Sequence, residues 1–135
     1  MEALKILVTM PNGEIFNTFF NDELKSKLQE IGEVIWNDST AQYTKSQLCE
    51  KIKDIDICVT GWGTPTFDEE VLSYANKLRL IAHTGGSVRP YVTDAVYDRG
   101  IRVVSGNEVF AESVAESVIA YALASLRDIP RYSGT

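Results

Sequence analysis

Short apolar runs alternate along the chain with segments whose apolar residues recur every three or four positions, the rhythm of strands and helices taken in turn. Leu4 to Thr9 forms the first run, and the turn residues Pro11-Asn12-Gly13 follow it. Phe16, Phe20, Leu24, Leu28 and Ile31 share one helical face, and Gly32 then predicts a helix C′ position. Val34-Ile35-Trp36 is the second strand. Thr44 and Gln47 have the spacing of a capping box, opening a helix that turns Leu48 and Ile52 inward.

The pattern then repeats. Ile55 to Val59 is the third strand, followed by the loop Thr60-Gly61-Trp62-Gly63-Thr64-Pro65 and a second capping box expected from Thr66 to Glu69. Leu78 to Ala82 is the fourth strand, a helix over about 93–99 ends at Gly100, and Ile101 to Val104 is the fifth. Strand–helix alternation implies right-handed crossovers and a mainly parallel sheet. The expected fold is α/β, a flavodoxin-like three-layer architecture with five parallel strands in the order 2-1-3-4-5. No internal repeat or low-complexity segment interrupts it.

The last helix differs from the others. Val114, Ala115, Val118, Ile119, Ala122, Leu123 and Leu126 make one continuous apolar face, and no charge occurs on any side between Val118 and Leu126. Its other face offers Ser117, Ala120, Tyr121 and Ala124. A helix apolar all round is buried on both sides, and its own sheet covers only one. A second domain or another subunit is therefore expected over the rest.

Bulk properties narrow the function. The 135 residues fit one domain, and 44% hydrophobic with 24% charged content is that of a folded chain. A formal charge of -6, with no basic cluster, argues against nucleic acid as a partner. No basic segment followed by an apolar stretch opens the chain, and no apolar run approaches the roughly 20 residues of a membrane span. Cys49 and Cys58 are isolated, which predicts two reduced core thiols in a cytoplasmic protein.

In an open parallel sheet, ligands bind beyond the carboxyl ends of the strands. The loops there are 9–14, 60–65, 83–92 and 105–110. In Thr84-Gly85-Gly86-Ser87-Val88 the two adjacent glycines allow close backbone approach. Its successive N–H groups could form a concave donor site for a carboxylate or phosphate. The same residues also suit an ordinary tight turn. Trp62 and Gly63 read either as a lid with an aromatic wall or as a plain turn, and Arg89 either meets substrate or forms a surface salt bridge. His83 is the single histidine, and no acid–histidine–nucleophile set accompanies it, so it is expected to be structural or to anchor the loop. No metal-ligand spacing, Gly-x-Gly-x-x-Gly or P-loop pattern occurs. The predicted assignment is thus no catalytic, cofactor-binding or metal residue. Two functions of the same fold fail at their key positions: a phosphoacceptor receiver needs acids where Thr9-Met10 and Thr60 stand, and Met10-Pro11-Asn12-Gly13 lacks the hydroxyls of a flavin phosphate loop.

Residues 78–88 (LRLIAHTGGSV), 95–105 (AVYDRGIRVVS), 111–118 (AESVAESV) and 126–131 (LRDIPR) together resemble the D-isomer-specific 2-hydroxyacid dehydrogenases. That resemblance implies a substrate-binding domain over 1–106, an interdomain and dimerisation helix over 107–127, and a hinge at 128–135 leading to an NAD-binding domain outside these residues. Thr84, Gly85, Gly86, Ser87 and Val88 would offer N–H groups to the substrate carboxylate, while Val114-Ala115-Glu116 would lie near the cofactor cleft. NAD or NADP is implied for the whole enzyme, with none expected on this chain. Also implied are hydride transfer between the nicotinamide and a D-2-hydroxy or 2-oxo acid, no activity for this chain alone, and a homo-oligomer through 111–127. The family loop usually reads glycine-x-glycine-valine-aspartate, whereas here Ser87 and Arg89 replace the second glycine and the aspartate. Val92 replaces a later aspartate, and Phe110 stands where an asparagine often precedes the Val-Ala-Glu run. A stand-alone ligand-sensing or scaffold domain derived from such an enzyme is the competing expectation.

Overall fold

The computed structural model describes residues 4–11, 13, 22–61, 63–83 and 88–105. Its elements run β1 (Leu4–Pro11), α1 (Asp22–Ile31), β2 (Gly32–Asn37), α2 (Lys45–Lys51), β3 (Ile57–Thr60), α3 (Glu69–Tyr74), β4 (Leu80–His83), α4 (Asp94–Asp98) and β5 (Arg102–Ser105). The five strands form one parallel sheet in the order β2-β1-β3-β4-β5, as the alternation predicted. The chain steps from β1 to β2 on one side and then to β3 on the other, so the topological switch point lies between β1 and β3. Phe16, Phe20 and the apolar helix of 111–127 lie outside the described residues.

The central strands are apolar on both faces because helices cover both. Leu7, Cys58 and Ile81 point to the face packed by Leu48 and Cys49 of α2, Val71 and Leu72 of α3, and Val96 of α4. Their neighbours Ile6, Val8, Ile57, Val59, Leu80 and Ala82 point to the opposite face, where Leu28 of α1 joins them. Leu28, Leu48, Ile52, Ile81 and Val96 are all fully buried. The result is two cores separated by the sheet, the three layers expected of this fold.

The helix starts show where local sequence decides and where it does not. Thr44 caps α2 as expected: its hydroxyl accepts from the Gln47 N–H at 3.2 Å, and the Gln47 side chain accepts from the Thr44 N–H at 2.8 Å. The second expected box, Thr66 to Glu69, does not form. Asp68 caps α3 instead, accepting from the Val71 N–H at 3.0 Å, while the Thr66 hydroxyl donates to the Pro90 carbonyl at 2.7 Å. A carboxylate at the helix N-terminus gains from the helix dipole as well as from the hydrogen bond, which favours Asp68 over a hydroxyl two residues earlier. Lys45, 2.6 Å from Asp68, holds the Asp68 carboxyl below the usual range, with the Val71 N–H adding to the effect.

Gly32 is a second difference. It does not close α1 in a left-handed C′ conformation. It is the first residue of β2, paired with Leu4. A Cβ at Gly32 would sit 2.3 Å from the Leu4 carbonyl oxygen, so glycine is required there by close backbone approach rather than by φ. Pro11 likewise belongs to β1 rather than to a turn. It pairs with Asn37 beyond an irregularity that separates it from Val8.

The obstacle at Gly32 is a main-chain carbonyl, which cannot rotate away. Gly32→Ala is therefore expected to destabilise the chain by about 1–3 kcal/mol, as overpacking does. Gly13→Ala, with open space around its Cβ, is expected to stay within about 0.5 kcal/mol of wild type. Urea unfolding of the two variants beside wild type reads the difference, and equal midpoints would refute the packing argument.

Candidate functional site

Moving two residues along a strand keeps the same face. Beyond the apolar row Ile35, Leu7, Cys58 and Ile81 on the α2–α4 face, the next step brings Asn37, Thr9, Thr60 and His83 to the carboxyl edge of β2, β1, β3 and β4. All four are buried, with Asn37 3% exposed and the others at 0%. They lie across the switch point, where ligand sites of open parallel sheets form.

Burial obliges these groups to find partners. The Asn37 amide donates to the Thr9 and Ala41 carbonyls, both at 3.0 Å, and its oxygen accepts from the Ser39 N–H. Thr64 donates to the Gly61 carbonyl at 2.8 Å, which leaves its oxygen to accept from the Thr9 hydroxyl at 3.0 Å. That oxygen also accepts from the Gly61 N–H at 3.3 Å. The bonds fix the start of the 60–65 loop against β1. The sequence analysis did not single out Thr9, Asn37 or Thr64 as a group, although each strand's apolar run ending in a polar residue was the available signal.

His83 is the chemically distinctive member. Nδ1 lies 2.8 Å from the Thr60 hydroxyl, its register partner on β3. The ring packs at 4.6 Å, centroid to centroid, on Tyr91. Nε2 is buried and has no hydrogen-bond partner among the described residues. Desolvation holds the His83 pKa below its ordinary value, so the ring is neutral at pH 7. The expectation that His83 anchors structure is met on its Nδ1 side, where Thr60 holds it.

Tyr91 joins two loops at this edge, and the sequence analysis missed it. Its hydroxyl accepts from the Gly63 N–H at 3.3 Å, and Gly63 itself takes φ +86°, a value side chains resist. Next to it, the Phe67 N–H donates to the Tyr91 carbonyl at 2.8 Å, and Thr93 donates to the Phe67 carbonyl at 2.7 Å. Val88 opens a turn whose carbonyl accepts from the Tyr91 and Val92 N–H groups, and Arg89 is exposed within that turn. Among the residues predicted for the site, the structure thus places Gly63, Val88 and Arg89 on two segments pinned to each other. Trp62, Thr84, Gly85, Gly86 and Ser87 lie outside the described residues. Both attachment points of the 84–87 connection, His83 and Val88, are held by the surrounding structure.

Nucleophilic or metal chemistry finds little here. Cys58 is fully buried and its thiol pKa is pushed well up by desolvation, while Cys49 is raised for the same first reason. Both are therefore poor nucleophiles. Among the described residues no three histidine, cysteine or acidic side chains converge as metal ligands. No helix among them is long and apolar enough to cross a membrane. The described edge is thus a neutral, internally hydrogen-bonded frame.

A neutral buried imidazole also makes a pH prediction. The folded pKa of His83 is lowered, so its contribution to stability is present above the unfolded value of about 6.5 and is lost as pH falls through the folded value. Urea unfolding from pH ~7 down to ~5 should show falling stability, and the His83→Phe variant should show a flatter profile. Parallel profiles in the two proteins would mean that His83 is not buried neutral.

Compared with known proteins, the chain matches the family described as D-isomer specific 2-hydroxyacid dehydrogenase, catalytic domain, over residues 6–129. It is 37% identical over 128 residues to D-3-phosphoglycerate dehydrogenase of Methanocaldococcus jannaschii, an alignment covering 95% of this chain and 22% of that protein. It is 29% identical over 103 residues to glyoxylate reductase of Pyrococcus furiosus, covering 76% of this chain and 30% of the relative. Among solved structures, NAD+-bound 3-phosphoglycerate dehydrogenase of Entamoeba histolytica shares the fold with a TM-score of 0.60 at 23% identity, over 76% of this chain and 32% of that one. The chain therefore spans about a fifth to a third of the length of these proteins. The family match covers nearly all of the sheet and its helices, and the chain belongs to the D-isomer specific 2-hydroxyacid dehydrogenases, within the part described as their catalytic domain.

Proposed function

We propose that this chain is the substrate-side domain of a nicotinamide-dependent oxidoreductase acting on a D-2-hydroxy acid and its 2-oxo acid. Its role is to seat the substrate carboxylate on the backbone N–H groups of Thr84, Gly85, Gly86, Ser87 and Val88. The observation that carries the reading is the fixed frame of that segment. It leaves the sheet at His83, on the carboxyl edge, and is followed by Val88, whose turn is tied to residues 63–67. Fixed flanks lower the entropy lost when successive N–H groups converge on a carboxylate. Gly63, tied to Tyr91, and Trp62 would form a wall of this cleft, with Arg89 on its rim.

NAD or NADP would be held outside these residues. The chain lacks Gly-x-Gly-x-x-Gly. The dinucleotide would be held by a separate domain, reached through a helix over 107–127 and a hinge at 128–135. The substrate differs among relatives, since one is named for D-3-phosphoglycerate and another for glyoxylate. Two buried thiols fit a cytoplasmic setting, where they stay reduced.

Glyoxylate and D-3-phosphoglycerate test the carboxylate site by thermal unfolding of this chain. A ligand at about ten times its Kd adds about 1.4 kcal/mol, a rise of a few degrees in Tm for a domain of this size. Ser87→Pro removes one loop N–H and should abolish the rise. A folded Ser87→Pro protein with an unchanged rise would sink the site. The chain should leave NADH unoxidised with either acid, and turnover would show that it contains the cofactor machinery after all. A melting rise without turnover in the intact native protein would favour the ligand-sensing alternative.

The apolar faces of residues 114–126 generate a further expectation, that the chain self-associates. Sedimentation at tens of micromolar should report species larger than 15.0 kDa. A clean monomer would count against a subunit contact through 111–127.

A further inference from the structure

We draw no further inference here: the strongest candidate, the surface patch of cationic side chains Lys5, Lys53, Lys77 and Arg79 at the amino edge of the sheet, is shared with the carboxylates of Asp54 and Asp56, and nothing in the structure shows what covers it.

Discussion

A parallel sheet covered on both faces leaves no room for a polar side chain in its middle, because nothing there can satisfy it. Everything else in this chain follows from that constraint. Among the described residues the buried polar side chains are Thr9, Asn37, Asp56, Thr60, Thr64 and His83, and each lies beyond a strand end or within two residues of one. The amino edge is closed by Asp56, whose carboxylate accepts from the Lys5 N–H at 2.9 Å with the Arg79 guanidinium 3.9 Å away. The carboxyl edge is closed by hydroxyls, one amide and one imidazole. The same requirement that excludes polarity from the core concentrates it at the two rims.

The fold was legible because the interior is read from local rhythm. Ile57-Cys58-Val59 and Leu80-Ile81-Ala82 are continuous apolar runs, as strands buried on both faces must be, and Leu48 and Ile52 keep helical spacing. Alternation with helices then fixes crossovers and, with them, the strand order. Misreadings came where a residue's role is set by something distant in sequence. Gly32 looked like a helix stop but is a strand residue facing the Leu4 carbonyl, 28 positions away. Thr66 had the spacing of a capping residue but is drawn to Pro90, leaving Asp68 to cap α3. Capping chemistry is visible locally only when no tertiary partner competes for the hydroxyl.

The candidate carboxylate loop shows in the sequence through its glycines, and the frame beside it does not. Gly85 and Gly86 after a strand are a local signal. Thr9, Thr60, Thr64 and Tyr91 carry no such signal, since a threonine at a strand end is ordinary until its partner is known. Thr9 meets Thr64 across 55 positions, and His83 meets Thr60 across 23. What local sequence does show is that the apolar runs of β1 to β4 each end in a polar side chain, at Thr9, Asn37, Thr60 and His83. Read as four separate strand stops, these residues say nothing. Read with the strand order in hand, they become one row.

The chemistry of that row bears on how an acidic chain can hold an acid. The chain carries a formal charge of -6, so a carboxylate approaching it meets a net repulsive field. At physiological ionic strength that field is screened beyond about 8 Å, and the short-range surroundings decide the outcome. The described polar row carries no ionised side chain: its amide and hydroxyls are uncharged, and burial keeps His83 neutral. An anion seated beside the row, as proposed above, would lose water but meet no like charge from it. The entropy of ordering the row has been met in folding, by the bonds that Thr9, Asn37, Thr60 and Thr64 make. The polar rim that the buried sheet requires is thus also a neutral frame beside which the proposed carboxylate site would stand.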